Sequence, residues 1–310
     1  MRDSALTLGN YRPEDFHALA RLVAEERLEG KGSYSTLGQD VIEGLGRPNH
    51  APEHDLFVAR EAGDIVGSID VTKELTIGRV VLTCLVFSER RGEIVARELL
   101  EKGIIRAREL GVGRVHINIP EASVMVLELL EKMGFRCVRH FLDLRLGASE
   151  APSAKRGMTF PRCRHMKKGE EDKLVHIQNR SFADTWGFKP NTLEEIVYRI
   201  ALPNCSPEDV IFACDAETVI GYCWARIYSG ERKEAGERRG SIQMLGVVPA
   251  NRGKGIGKEV LMAGLSYLRR RGARAVDLTV DAENKAALAL YRSAGFHVRM
   301  RSLWYERKLN

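Results

Sequence analysis

The chain has 310 residues, about twice the length of an ordinary domain, which predicts two domains. Hydrophobic residues make up 44% of it and charged residues 29%, a balance that excludes disorder on a large scale. A net charge of +6, from 48 basic and 42 acidic residues, suits an anionic ligand such as a nucleotide but is too diffuse for a nucleic-acid-binding surface.

From the N-terminus, Met1–Leu6 holds no apolar run of signal-peptide length. Nowhere do about 18 uninterrupted apolar residues occur. The six cysteines, Cys84, Cys137, Cys163, Cys205, Cys214 and Cys223, include no C-x-x-C pair, so neither a zinc site nor a disulfide framework is expected. The expectation is a reduced, cytoplasmic protein with no metal and no membrane partner.

A helical region around Pro13–Glu29 opens the chain. Apolar runs then predict strands over Leu56–Ala59, Ile65–Val71 and Arg79–Phe87. From Cys84 to Phe135 the sequence matches Leu245–Phe296 without a gap, at a constant offset of 161 residues. That register lays Arg91-Gly92 on Arg252-Gly253, Gly103 on Gly264, Gly111 on Gly272 and Gly134-Phe135 on Gly295-Phe296. Glycines mark positions of special backbone need, so their shared register points to a duplication.

Gly147–Phe160, rich in small residues, proline and charge, is the predicted linker, and the basic residues from Lys155 to Lys168 read as linker and strand entry. The expected domains are therefore 1–147, a linker at 148–160, and 161–310. The second copy starts with a helical region at Glu170–Phe182, then strands at Val210–Ala213 and Gly221–Tyr228 about a turn at Asp215–Thr218. A polar hairpin loop spans Ser229–Gly240, and the apolar strand Ile242–Val248 follows.

Lys258–Arg271 is predicted helical, with Val260, Leu261, Gly264, Leu265 and Leu268 on one face and Gly272 as its left-handed stop. A strand at Ala275–Val280 precedes a helix from an Asn284 N-cap to Gly295. Two final strands are expected near Phe296–Arg301 and Leu303–Lys308.

Arg252-Gly253-Lys254-Gly255-Ile256-Gly257 joins an apolar strand to an amphipathic helix. Glycines there let successive N–H groups point into one concavity, with the positive end of a helix behind them, and a pyrophosphate suits that place. A Walker A loop needs Ser or Thr after its Lys, but Glu259 follows Lys258. A dinucleotide fingerprint needs a different glycine spacing and a place at the start of its domain.

The linked motifs resemble those of the GNAT N-acetyltransferase superfamily. The sequence reads Leu245-Gly246-Val247-Val248-Pro249, then Arg252 to Gly257, then Asn284 to Phe296 with Ala287, Leu290, Tyr291 and Gly295-Phe296 in the family's order. Asn179-Arg180-Ser181-Phe182-Ala183, with Leu193-Glu194-Glu195 and the two-copy plan, further resembles mycothiol synthase and its tandem relatives.

The resemblance implies an α+β (α/β) chain: a tandem pair of GNAT folds, each a mixed, mostly antiparallel central sheet flanked by helices. It also implies acetyl-CoA as cosubstrate. Its pyrophosphate would lie on the amides of Arg252, Gly253, Lys254, Gly255, Ile256, Gly257 and Lys258, and its arm along Leu245, Gly246 and Val247. The Val247 N–H would polarise the thioester carbonyl, Asn284 would hold the arm or merely cap its helix, and Tyr291 would be the general acid or a packing residue.

No carboxylate occupies Ser241-Ile242-Gln243-Met244, where family members often carry a base. Glu234, Glu237 and water relayed through Gln243 stay open as sources of one. The first copy has Ile94 for Gly255, Ala96 for Gly257, Ser123 for Asn284 and Leu130 for Tyr291, and Ile94 would resist a positive φ. It is expected to be a degenerate partner of the catalytic second copy.

The implied reaction is acetyl transfer to an amine, on a small molecule or a protein N-terminus, by direct attack in a ternary complex. The competing reading is a CoA-binding sensor. Trp186 and Phe188 are candidates for the acceptor wall, or for core.

Overall fold

The computed structural model describes residues 5–28, 41, 43–86, 92–147, 160–203, 205–228 and 238–309. In chain order it begins with β1 (Thr7–Asn10), α1 (Phe16–Leu28), α2 (Pro52–Asp55), β2 (Leu56–Glu61), β3 (Asp64–Glu74) and β4 (Arg79–Val86). Next come α3 (Gly92–Glu109), β5 (Arg114–Pro120), α4 (Val124–Lys132) and β6 (Arg136–Leu146). Then follow β7 (Cys163–His165), α5 (Glu171–Phe182), α6 (Leu193–Ala201), β8 (Val210–Asp215), β9 (Thr218–Tyr228) and β10 (Arg239–Val247). The chain ends through α7 (Ile256–Arg270), β11 (Ala275–Asp281), α8 (Lys285–Ser293) and β12 (His297–Lys308). Among the described residues no helix is long and apolar enough to cross a membrane.

Two compact units result, Met1–Phe141 with Met300–Asn310, and Leu142–Arg299. In the first, the strand order is β1-β2-β3-β4-β5 and then the end of β12; in the second it is β7-β8-β9-β10-β11 and then the end of β6. Both sheets are mixed and mostly antiparallel, with parallel pairing at β4–β5 and at β10–β11. The implied pair of α+β folds is therefore present.

The division differs from a cut at residues 147 and 161. The two expected C-terminal strands are one, because His297–Lys308 contains no Gly, Pro, Asn or Asp to break it. From Met300 onward this strand belongs to the first unit, where Ser302 lies opposite Pro120 and Lys308 opposite Arg114 on β5. Correspondingly, Leu142–Leu146 belongs to the second unit beside β11. There Arg145 grips both Asp277 oxygens at 2.7 and 2.8 Å, and Thr279 hydrogen-bonds Asp143. Apart from Gly147 and Phe160, the expected linker lies outside the described residues.

The paired glycines have paired reasons. A Cβ on Gly264 would lie 2.5 Å from Cys223 Sγ, and one on Gly103 would lie 2.9 Å from Ile69 Cδ1, so glycine seats α7 and α3 close on their sheets. Gly111, Gly134, Gly272 and Gly295 all have positive φ and end helices, conformations that side chains with a Cβ resist. The predicted α7 face is buried as Val260, Leu261, Gly264, Leu265 and Leu268.

A buried charge also ties the first unit's α3 to β3. The fully buried Asp55 receives Lys73 Nζ at 2.7 Å, Arg106 Nε and Nη2 at 3.0 Å each, and the Ala51 amide at 3.2 Å. Burial alone would raise the Asp55 carboxyl, but the Lys73, Arg106 and Ala51 bonds outweigh it and its pKa is lowered. With the folded value depressed, the stabilisation is full above the unfolded carboxylate value and drains as pH falls through the folded one. Asp55→Asn should destabilise the protein by about 2 kcal/mol near neutral pH, a figure discounted for the partly exposed cations. Thermal melts should show that gap closing below about pH 4.

Candidate active site

The second unit's sheet opens where its chemistry is expected. β10 follows β9 from Arg239 to Val247, but it pairs with β11 only over Arg239–Ser241, opposite Ala275–Asp277. Beyond Ser241 the two parallel strands part and leave one β10 edge open. The β9–β10 register shifts between Ile242 and Met244, so Gln243 is an extra residue on the strand. The Val248 N–H donates to Ile220 O at 3.1 Å, toward β9. Polar groups alternate along a strand, so Gly246 also faces β9, while Leu245 and Val247 face the open edge.

The glycine loop continues from that edge. Asn251 and Arg252 amides close a single turn on Val248 O and Pro249 O at 2.9 and 3.2 Å. Gly253 and Gly255 then take φ of 75° and 81°, and Gly255 is the N-cap of α7. The amides from Gly253 to Lys258 find no backbone acceptor among the described residues, and the first in line to do so is Glu259, on Gly255 O at 3.1 Å. Nothing lies within 4 Å of where a Cβ on Gly253 or Gly255 would point. Ile256 anchors the loop in the core at 2% exposure. Open space, a row of free donors and a helix N-terminus fit a diphosphate.

α8 lies against the same loop, since a Cβ on Gly257 would be 3.5 Å from Leu290 and 3.8 Å from Val247. The neighbouring Tyr291 is 6% exposed, with its ring 5.9 Å from Phe296 in a T-shaped contact. Burial first, and the nearby Cys223 second, push its hydroxyl pKa up. Asn284 does cap α8, its Oδ1 accepting the Ala287 amide at 3.0 Å. That bond leaves the carboxamide NH2 for a ligand.

Arg252 departs from the role its place in the motif suggests. Its amide is spent on Pro249 O, and its guanidinium donates to Ser181 O at 2.7 Å, Val247 O at 3.2 Å and both Asp184 oxygens at 2.7 and 3.2 Å. Gly246 reveals a further contact that the sequence did not announce. A Cβ there would meet Ser181 Cβ at 2.7 Å, the Tyr222 ring at 2.8 Å and the Phe182 ring at 3.0 Å. The end of α5 thus lies directly on β10. Behind it Tyr222 faces the Gln178 amide, and both are fully buried. Phe188 stacks on Phe182 at 5.9 Å, and Trp186 is half-buried in the same loop.

The first unit has the same strand separation, since β4 pairs with β5 only over Arg79–Leu82. Its backbone differs at the positions that match Gly253–Gly255. α3 begins at Gly92 and takes in Glu93 and Ile94, so Ile94 escapes the strain of a positive φ that the sequence suggested. Instead it projects 53% exposed from the helix's first turn, beside the Glu93 carboxylate. That carboxylate complements the helix dipole and is paired with Arg97 at 3.5 Å and Lys132 at 3.7 Å. Ser123 makes no side-chain cap, and Leu130 is fully buried where the second unit has Tyr291.

Glu234 and Glu237 fall outside the described residues. Gln243 Nε2 donates to Ser241 Oγ at 2.7 Å. Cys223 is fully buried on the α7 side of the sheet, and burial pushes its thiol pKa up. Among the described residues no cluster of His, Cys, Asp or Glu is arranged to hold a metal ion.

Residues 16–135 and 172–296 each match the Acetyltransferase (GNAT) family, so the chain belongs to that family and carries its domain twice. It is accordingly an acetyl-CoA-dependent N-acetyltransferase of the tandem type. It is 27% identical over 279 residues to the mycothiol acetyltransferase of Acidimicrobium ferrooxidans, covering 86% of this chain and 89% of that protein. A GCN5-related N-acetyltransferase from Sphaerobacter thermophilus shares the fold with a TM-score of 0.74 at 23% identity, over 98% of this chain and 95% of that one. A tandem GNAT protein from the clavulanic acid biosynthesis pathway does so with a TM-score of 0.75 at 14% identity, over 98% of each chain.

Proposed function

We propose that the second unit carries the transfer, moving the acetyl group from acetyl-CoA directly to an acceptor amine while both are bound. The observation that carries this reading is the open β10 edge followed, one turn later, by the free amides of Gly253–Lys258. Those amides hold the pyrophosphate, and the edge at Leu245 and Val247, with the Asn284 carboxamide, aligns the pantetheine arm. The Val247 N–H stabilises charge on the carbonyl oxygen in the transition state. As the new N–C bond forms and the C–S bond breaks, Tyr291 donates its proton to the departing sulfur. The amine's own proton leaves to a base that is not assigned to a side chain.

Cys223 supports direct attack, because a fully buried thiol with a raised pKa makes a poor acyl carrier. The acceptor is a small-molecule amine of the kind implied by the name mycothiol acetyltransferase, and the first unit is non-catalytic. A CoA sensor without turnover is the weaker reading, since Tyr291 is retained. Initial rates with acetyl-CoA and a panel of amino sugars and cysteinyl amines should give intersecting reciprocal plots. Parallel plots, with an acetylated enzyme detected by intact mass, are the opposite outcome and would replace direct attack by a two-step route.

A further inference from the structure

The segment between α5 and α6 is organised by its own contacts. Asn179 bridges it, donating to Asn191 O at 3.0 Å and accepting the Asn191 amide at 2.9 Å. Within it the Thr185 amide donates to Phe182 O at 2.8 Å, the Phe188 amide donates to Thr185 O at 3.2 Å, and Phe182 stacks on Phe188. One polar tie from it to the glycine loop is Asp184 with Arg252. Arg252 also holds Ser181 O and Val247 O, so one planar guanidinium gathers the end of α5, the segment after it and the end of β10. The missing Cβ at Gly246 permits that close seating.

We infer that Asp184 is a positioning residue which, through Arg252, sets the segment bearing Trp186 and Phe188 in register with the acyl end of the donor site. The inference rests on the donor reading of the Gly253–Lys258 amides. Anything that fixes the glycine loop fixes Arg252, and Arg252 passes that order to residues 182–191. An ion pair with one side chain 43% and the other 59% exposed adds little to global stability. Its effect is on local order.

The test is amide hydrogen exchange on the full chain with and without CoA. In the wild type, CoA should slow exchange about tenfold at Gly253–Lys258 and also over residues 182–191. Asp184→Ala should keep the first protection, bind CoA within about threefold by calorimetry, and lose most of the second. Asp184→Glu, which restores a carboxylate within reach of the guanidinium, should recover it. Protection of 182–191 that persists in Asp184→Ala overturns the inference. So does an Asp184→Glu protein that behaves like Asp184→Ala, or a wild type protected at Gly253–Lys258 alone. No protection at either place in the wild type sinks the donor reading, and the inference falls with it.

Discussion

Gly255→Ile is expected to weaken CoA binding by at least about 100-fold, or about 2.7 kcal/mol. Two physical effects add. At φ of 81° an L residue with a branched Cβ is strained, and the native loop conformation becomes a minority state. Whatever population keeps the loop then places a side chain in the empty space before the amide row. In the first unit Ile94, at the matching place, lies within a helix that runs from Gly92 and so has no positive φ.

Calorimetry with CoA provides the measurement. The wild type should bind one CoA per chain, and the variant should bind none at concentrations that saturate the wild type. Unchanged affinity would falsify the diphosphate role of the loop. A second equivalent of CoA on the wild type would show that the first unit also binds it.

Much of this site was written locally. The glycine register, the Asn284 cap, the α7 face and the Gly-rich turn each follow from neighbours a few residues apart, where spacing and backbone preference speak plainly. What escaped depends on distant partners. Residues 297–301 alternate and Leu303–Tyr305 is apolar, as a strand allows, but such a pattern cannot say which sheet a strand joins, so the passage of Met300 into the first unit has no sequence signal. Arg252 heads a cofactor motif, while its guanidinium serves Asp184, a loop residue 68 positions away with no pattern to mark it. Ile94 at the place of Gly255 implies strain only if the backbone is the same, and the first unit is helical there.

Tyr291→Phe should lower kcat by about two to three orders of magnitude while leaving CoA affinity within about threefold. Phenylalanine preserves the packing on Phe296 and removes only the hydroxyl. An ordinary phenol near 10 giving its proton to a thiolate near 8.5 works uphill by about 2 kcal/mol. Burial raises the Tyr291 pKa, which steepens that climb, so the transfer needs the ammonium formed on the product side to assist it. The same burial fixes the pH dependence. An acid is active below its pKa and is lost as pH rises through it, and here the value lies above the ordinary phenol. Wild-type kcat should therefore show no descending limb that belongs to Tyr291 below about pH 10. The rising limb, set by deprotonation of the amine, should keep its midpoint in the variant. An unchanged kcat removes the acid role, whereas an ascending limb near neutral pH that vanishes in Tyr291→Phe would mean the hydroxyl must be ionised in the working enzyme and acts as a base instead.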